Sequence, residues 1–163
     1  MAELRAVAVV GKGRVEPAML PRLEYLDAVV KETLRLRPIL PIVVRRLAAP
    51  FTIGGYTLPK GAAVAPCMYL THLRPELFPE PRRFWPDRWL AEKKADPYGY
   101  FPFGGGTRRC IGMAFALYEM KIILATVLSA AALRLPGGAE PMARRGIVIA
   151  PKHGALVMMD RAA

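Results

Sequence analysis

Apolar residues recur at three- and four-residue steps through Leu23, Leu26, Val30 and Leu34, a spacing that lays them along one stripe of an α-helix. The pattern predicts a helix over residues 23–37. Pro38 ends it, because the residue before a proline avoids helical backbone angles. A second helix is expected from Met113 to Leu128, a run of good helix formers with Glu119 and Lys121 on its polar side. Pro136-Gly137-Gly138 prevents any continuation. Between the helices the pattern shortens. Residues 38–50 read as extended, and Phe51-Thr52-Ile53 and Tyr56-Thr57-Leu58 flank Gly54-Gly55, a hairpin signal because both glycines can take positive φ. A strand is expected over residues 62–70, and a closing hairpin is expected to pair Ile147-Val148-Ile149 with Ala155-Leu156-Val157. Glu3 to Val10 reads as the tail of a helix, followed by a loop through Gly11-Lys12-Gly13.

The length of 163 residues suits one domain able to bury a core, and 53% hydrophobic residues argue against disorder. The longest apolar run, Ile122 to Leu133, is too short for a membrane span of about 20 residues, and no secretory signal pattern opens the chain. The chain therefore reads as soluble and cytoplasmic. Its net charge of +11 admits nucleic acid, an anionic membrane or an acidic protein as partner. Aromatic residues do not interleave with the basic ones as a single-strand-binding groove needs, and no helix-turn-helix or zinc-finger spacing is present. An acidic redox partner is preferred, with a generally basic, soluble surface as the competing reading. Cys67 and Cys110 lie far apart and form no C-x-x-C pair, which argues against a zinc site or a disulfide framework. Cys67, in an apolar run, reads as a small core residue.

Chemistry concentrates in Phe103-Gly104-Gly105-Gly106-Thr107-Arg108-Arg109-Cys110-Ile111-Gly112. Consecutive glycines let a backbone bend sharply or press against a flat ligand. A cysteine near a helix start lies among unpaired N–H groups and the positive end of the helix dipole, and both favour thiolate. Arg108 is a fixed cation suited to gripping a carboxylate. One thiolate, small residues and an arginine together suggest haem held by cysteine.

Phe103, Gly106, Arg108, Cys110 and Gly112 fit F-x-x-G-x-R-x-C-x-G, and the stretch resembles the haem-binding loop of the cytochrome P450 family at every fixed position. Glu32 and Arg35 resemble that family's E-x-x-R helix, which implies a buried pair rather than a weak surface one. Pro81 to Trp89 resembles the family's P-x-x-F-x-P-x-R-F stretch with Trp89 in the last place, so Arg88 would join Glu32 and Arg35 in a three-member charge cluster. Arg45 resembles the haem-propionate arginine, with Arg46 as the competing candidate. His72-Leu73-Arg74-Pro75 departs from the usual H-R-D-P in its middle two positions, and His72 is read as structural. Lys93-Lys94-Ala95-Asp96-Pro97 reads as a surface loop.

The resemblance implies a mainly α fold with small β-sheets (α+β), as one partial domain over residues 1–163. The family's A-G-x-[DE]-T-like distal helix should precede residue 23 and is not found there, so the chain reads as the C-terminal portion of a longer protein. The resemblance further implies haem b, with Cys110 as axial iron ligand and Arg108 and Arg45 on the propionates. Phe103 would shield the sulfur, and Gly106 and Gly112 would allow close approach. The implied activity is a monooxygenase, or a fragment of one, acting on a small, lipophilic organic substrate. Electrons would come from a ferredoxin, flavodoxin or reductase, with Arg109 and Lys121 as docking contacts. Two alternatives stay open. One is a haem-thiolate isomerase, dehydratase or peroxygenase without an external reductase; the other is a basic binding module without haem.

Overall fold

A computed structural model describes residues 15–91, 96–138 and 140–162. The expected helix tail over 3–10 and the expected lysine loop at 93–94 lie outside them. A 3-10 turn, Pro17–Arg22, leads into helix α1, Glu24–Leu36. Four short strands follow: β1 Arg45–Arg46, β2 Phe51–Ile53, β3 Tyr56–Leu58 and β4 Ala63–Val64. A single helical turn, α2 (Met68–Thr71), and 3-10 turns at Pro86–Trp89 and Gly106–Arg108 precede the long helix α3, Met113–Ala130. Strands β5 Ala131–Arg134, β6 Met142–Arg145, β7 Val148–Pro151 and β8 Met158–Ala162 complete the order. The architecture is α+β, with four separate two-stranded antiparallel sheets.

The apolar stripe of α1 does what its spacing predicts, since Leu23, Leu26, Val30 and Leu34 are all buried. Leu23 and Leu26 meet Met19, Leu20 and Ala125 in the core, with Ile122 and Leu128 packed against it. Thus α3 crosses the N-terminal half of α1. Asp27 joins the two helices, accepting from Lys121 of α3 at 2.9 Å and from Lys31 at 2.6 Å. Burial alone would raise the pKa of Asp27, but its bonds to the two lysines and their charges hold it below its ordinary value. The C-terminal half of α1 is left to face the 3-10 turn at Pro86–Trp89.

Three sequence expectations are corrected. The stretch 62–70 is not one strand: Ala63–Val64 pairs with Arg45–Arg46, then Pro66 interrupts, and Met68 opens a helical turn. Proline has no N–H for a ladder, and here its carbonyl takes the Val43 N–H at 3.1 Å. The closing hairpin is also shifted. Strand β7 pairs with β6 across Gly146-Ile147, and β8 returns to β5. Gly146, at φ +65, supplies the positive φ that this tight connection needs. Third, the apolar run 122–133, expected to be too short for a membrane span, overlaps a longer helix that begins at Met113, and it crosses from that helix into strand at Ala131. Helix α3 itself has 18 residues and is, by length and composition, long and apolar enough to cross a membrane.

Candidate functional site

Glu32 lies on the buried face of α1 and is the hub of the region beneath the cysteine loop. Its Oε1 accepts from Arg35 Nη2 at 2.8 Å, the Trp85 backbone N–H at 2.9 Å and Arg88 Nε at 3.2 Å. Its Oε2 accepts from Arg35 Nε and Trp89 Nε1, both at 2.9 Å. Burial alone would raise the pKa of this carboxyl. The donors from Arg35, Trp85 and Trp89, with the Arg35 charge, outweigh burial and hold it below the ordinary value. Arg35 is equally enclosed, and its Nη1 donates to the carbonyls of His72 and Pro81 at 2.8 and 2.7 Å. The expected cluster of Glu32, Arg35 and Arg88 is therefore assembled. Arg88 Nη2 is buried without a hydrogen-bond partner, and the guanidinium lies over the Trp85 ring at 4.9 Å, where cation–π attraction offsets part of that cost.

Sequence reasoning misses the two tryptophan donors. Trp89 is legible as an aromatic at the end of its stretch, but an indole N–H aimed at Glu32 is a tertiary fact. His72 is structural, as expected, and its position gives that word content. Fully buried, it places Nδ1 3.2 Å from the Arg35 carbonyl, while Nε2 accepts the Phe101 N–H at 3.1 Å. That pairing assigns the proton to Nδ1. Burial lowers the pKa of His72 to about 4, with the Arg35 charge adding to the effect and the bond to the Arg35 carbonyl opposing it. The ring is therefore neutral near pH 7, and it links the Glu32–Arg35 lock to the start of the cysteine loop. Tyr100 adds a second tie, donating to the Lys31 carbonyl at 3.1 Å and packing against Trp89 with ring centroids 4.5 Å apart and planes tilted by 54°.

From Phe101 the loop is set by short-range bonds. The Phe101 carbonyl accepts from Gly104, and the Phe103 carbonyl accepts from the Cys110 N–H at 2.9 Å, closing the bend. Gly104 is buried at φ +75, and a Cβ there would come within 4.0 Å of Val43 Cγ1, so the loop rests against the segment leading into β1. Phe103 is half-buried, and its carbonyl is what ties it to the cysteine. Cys110 sits three residues before the first helical residue of α3 rather than on the helix. Cys110 is exposed, and a Cβ on Gly112 would stand 3.8 Å from its sulfur. The approach to the thiol is open.

Arg108 is exposed beside it. Burial alternates along residues 41–47, and Arg45 falls on the same, less exposed parity as Val43, the residue that meets the loop. Arg46 points the other way and donates to the Gly61 carbonyl at 2.9 Å. The geometry thus favours Arg45 over Arg46. Of the two expected docking residues, Arg109 is exposed and lines a cavity of about 470 Å³ with Lys31, Tyr98 and Phe103. Lys121 is corrected: its ammonium is engaged by Asp27 and mostly shielded.

An exposed thiol, a glycine bend that leaves it clear and two arginines suited to acid groups fit a thiolate-ligated, dicarboxylate macrocycle. Among the described residues no cluster of three or more His, Cys, Asp or Glu side chains offers a competing metal site.

The family model described as Cytochrome P450 matches residues 2–158. The protein named cytochrome P450 135B1 of Mycobacterium tuberculosis is 40% identical over 136 residues, covering 82% of this chain and 28% of that protein. Cytochrome P450 4V2 of Mus musculus is 37% identical over 145 residues, with 87% and 28% covered. A solved structure, "Retinoic acid bound cyanobacterial CYP120A1", superposes with a TM-score of 0.80 at 32% identity, covering 90% of this chain and 34% of that one. The chain thus spans 28% of the length of these two curated relatives.

Proposed function

The chain belongs to the cytochrome P450 family, and from that premise we propose that it forms the haem-thiolate portion of a monooxygenase. Cys110 would hold the iron of haem b, and Arg108 and Arg45 would hold its propionates. When bound, haem with a thiolate ligand supplies activation of dioxygen, because the thiolate pushes electron density toward iron and favours O–O cleavage. The chain's own residues do the positioning. The Cys110 N–H bond to Phe103 fixes the loop on one side of the sulfur, and the absence of a Cβ at Gly112 keeps the other side clear. Glu32, Arg35 and His72 hold the base of that loop without touching the cofactor. Arg109, exposed beside the cysteine, would meet an acidic electron donor of the ferredoxin, flavodoxin or reductase type.

One observation carries the reading: an exposed cysteine on a loop anchored, through His72, to a buried five-donor carboxylate. The substrate is proposed to be a lipophilic organic molecule, a view supported by the retinoic acid bound in the cyanobacterial structural relative. The test is spectroscopic. Expressed with haem supplied, the chain should give the thiolate-type absorption band of a reduced carbon-monoxide adduct, and Cys110→Ala should abolish it. A folded protein that takes up no haem would overturn the proposal in favour of a basic binding module.

A further inference from the structure

The β2–β3 hairpin has two unlike faces. Its register pairs Phe51 with Leu58, Thr52 with Thr57 and Ile53 with Tyr56. Directly opposed residues of an antiparallel pair share a face, and neighbours along a strand alternate between faces. Thr52 and Thr57 therefore share one face, where their hydroxyls hydrogen-bond at 2.9 Å, and Phe51, Ile53, Tyr56 and Leu58 share the other. That apolar face is largely bare: Ile53 is 58% exposed, Tyr56 is 76% exposed, and Phe51 is exposed too. Among the described residues the two strands form a sheet of their own, and a Cβ on Gly54 or Gly55 at the tip would meet nothing within 4 Å. The base of the hairpin carries charge of one sign. Arg46 Nη1 donates to the carbonyl of Gly61, the residue after Lys60, at 2.9 Å, and Arg46 and Lys60 are both exposed. Among the described residues no carboxylate pairs with either, and the sequence has no aspartate or glutamate between Glu32 and Glu76.

A small apolar tip above a basic base suits the boundary of a lipid bilayer. Four side chains are too few for a stable protein interface, which takes about 800 Å² from each partner. The two apolar pairs stand two residues apart, roughly 7 Å by strand rise, within the roughly 5–10 Å to which amphipathic elements enter the headgroup boundary. Tyrosine favours that level, because its ring is apolar while its hydroxyl stays hydrated. Cations at the base then meet lipid phosphates. We propose that the β2–β3 hairpin is a peripheral docking element for an anionic membrane surface, with Ile53 and Tyr56 inserted and Arg46 and Lys60 on the headgroups. The inference goes beyond the haem-thiolate reading and does not depend on it.

Vesicle co-sedimentation of the whole chain tests it, comparing equal parts phosphatidylcholine and phosphatidylglycerol with pure phosphatidylcholine. The chain should bind the mixed vesicles about tenfold or more tightly than the neutral ones, and added salt should narrow the gap. Ile53→Ser combined with Tyr56→Ser should weaken binding about tenfold or more, with unchanged circular dichroism. Arg46→Gln and Lys60→Gln should each cost about fivefold on mixed vesicles and leave neutral ones within about twofold. Phe115 and Ile123 of α3 are exposed as well, so Phe115→Ser with Ile123→Ser is the control and should leave binding within about twofold. Tyr56→Trp should gain emission that brominated acyl chains quench, which reads insertion even where the serine pair does not fold. No binding to mixed vesicles, or equal binding to both kinds, overturns the proposal. It is overturned too if Tyr56→Trp gains no quenchable emission, or if the α3 variant loses binding and the hairpin variant keeps it, which would put the bilayer on the helix. A chain that takes up no haem would sink the monooxygenase reading and leave every one of these arms readable.

Discussion

Glu32 is a carboxylate fully removed from water yet contacted by five donors, and that saturation is what makes its burial tolerable. Exchanging it for glutamine puts an amide among groups that can only donate and leaves the buried Arg35 charge uncompensated. Glu32→Gln should therefore cost about 3–5 kcal/mol of unfolding free energy, the range for breaking a buried pair by removing one partner. Urea titration followed by circular dichroism measures it; a loss below about 1 kcal/mol would place the pair among ordinary surface bridges. His72 makes a separate prediction. Its pKa is about 4 in the fold against an ordinary 6.5, so the unfolded chain binds the extra proton between those values. Stability is then complete above pH 6.5 and falls as pH drops toward 4, by up to about 1.4 kcal/mol per pH unit from this one group. Glu32, held below its ordinary value, adds its own loss at still lower pH. His72→Gln should flatten the unfolding profile between pH 6.5 and 4, and an unchanged slope would show that the ring is not the group titrating there.

At the scale of elements, local chemistry explains which parts of the fold are legible beforehand. Helix α1 can be read because its apolar stripe and the terminating Pro38 are both properties of a short window. The Gly54-Gly55 hairpin forms as expected, with Thr52 paired to Thr57 and both glycines at positive φ. The cysteine loop is legible as a motif, and its bend is the one the glycines imply. The failures share one cause. Which strand pairs with which is decided by contacts distant in sequence, so Val148–Pro151 finds β6 and leaves residues 155–157 unpaired with it. Likewise the apolar run 122–133 gives no sign that the chain turns from helix to strand at Ala131. Lys121 looks like a free surface cation because Asp27, its partner, lies 94 residues away. The Trp89 indole donor of the Glu32 cluster is hidden for the same reason, since nothing in a window around Trp89 says where its N–H will point.

For the whole molecule, the deciding feature is how little of α3 is covered. Ala125 and its neighbours face α1, but Phe115 is 67% exposed, and Ile123 and Val127 also stand in solvent, with Ile111 fully exposed in the loop just before the helix. Soluble monomers rarely leave so continuous an apolar surface uncovered. The chain spans 28% of its curated relatives, so a surface of this kind is where the remaining length of such proteins could pack. For the chain by itself, the physical consequence is self-association, since a second copy offers the same apolar face. Sedimentation velocity should show the sedimentation coefficient rising with concentration through the micromolar range. Phe115→Ser combined with Ile123→Ser should shift the population toward monomer while leaving the helical circular dichroism unchanged, because neither side chain belongs to the α1–α3 core. If the unmodified chain sediments as a monomer at every concentration and binds no hydrophobic dye, then α3 is covered in solution and its exposed face is not the surface described.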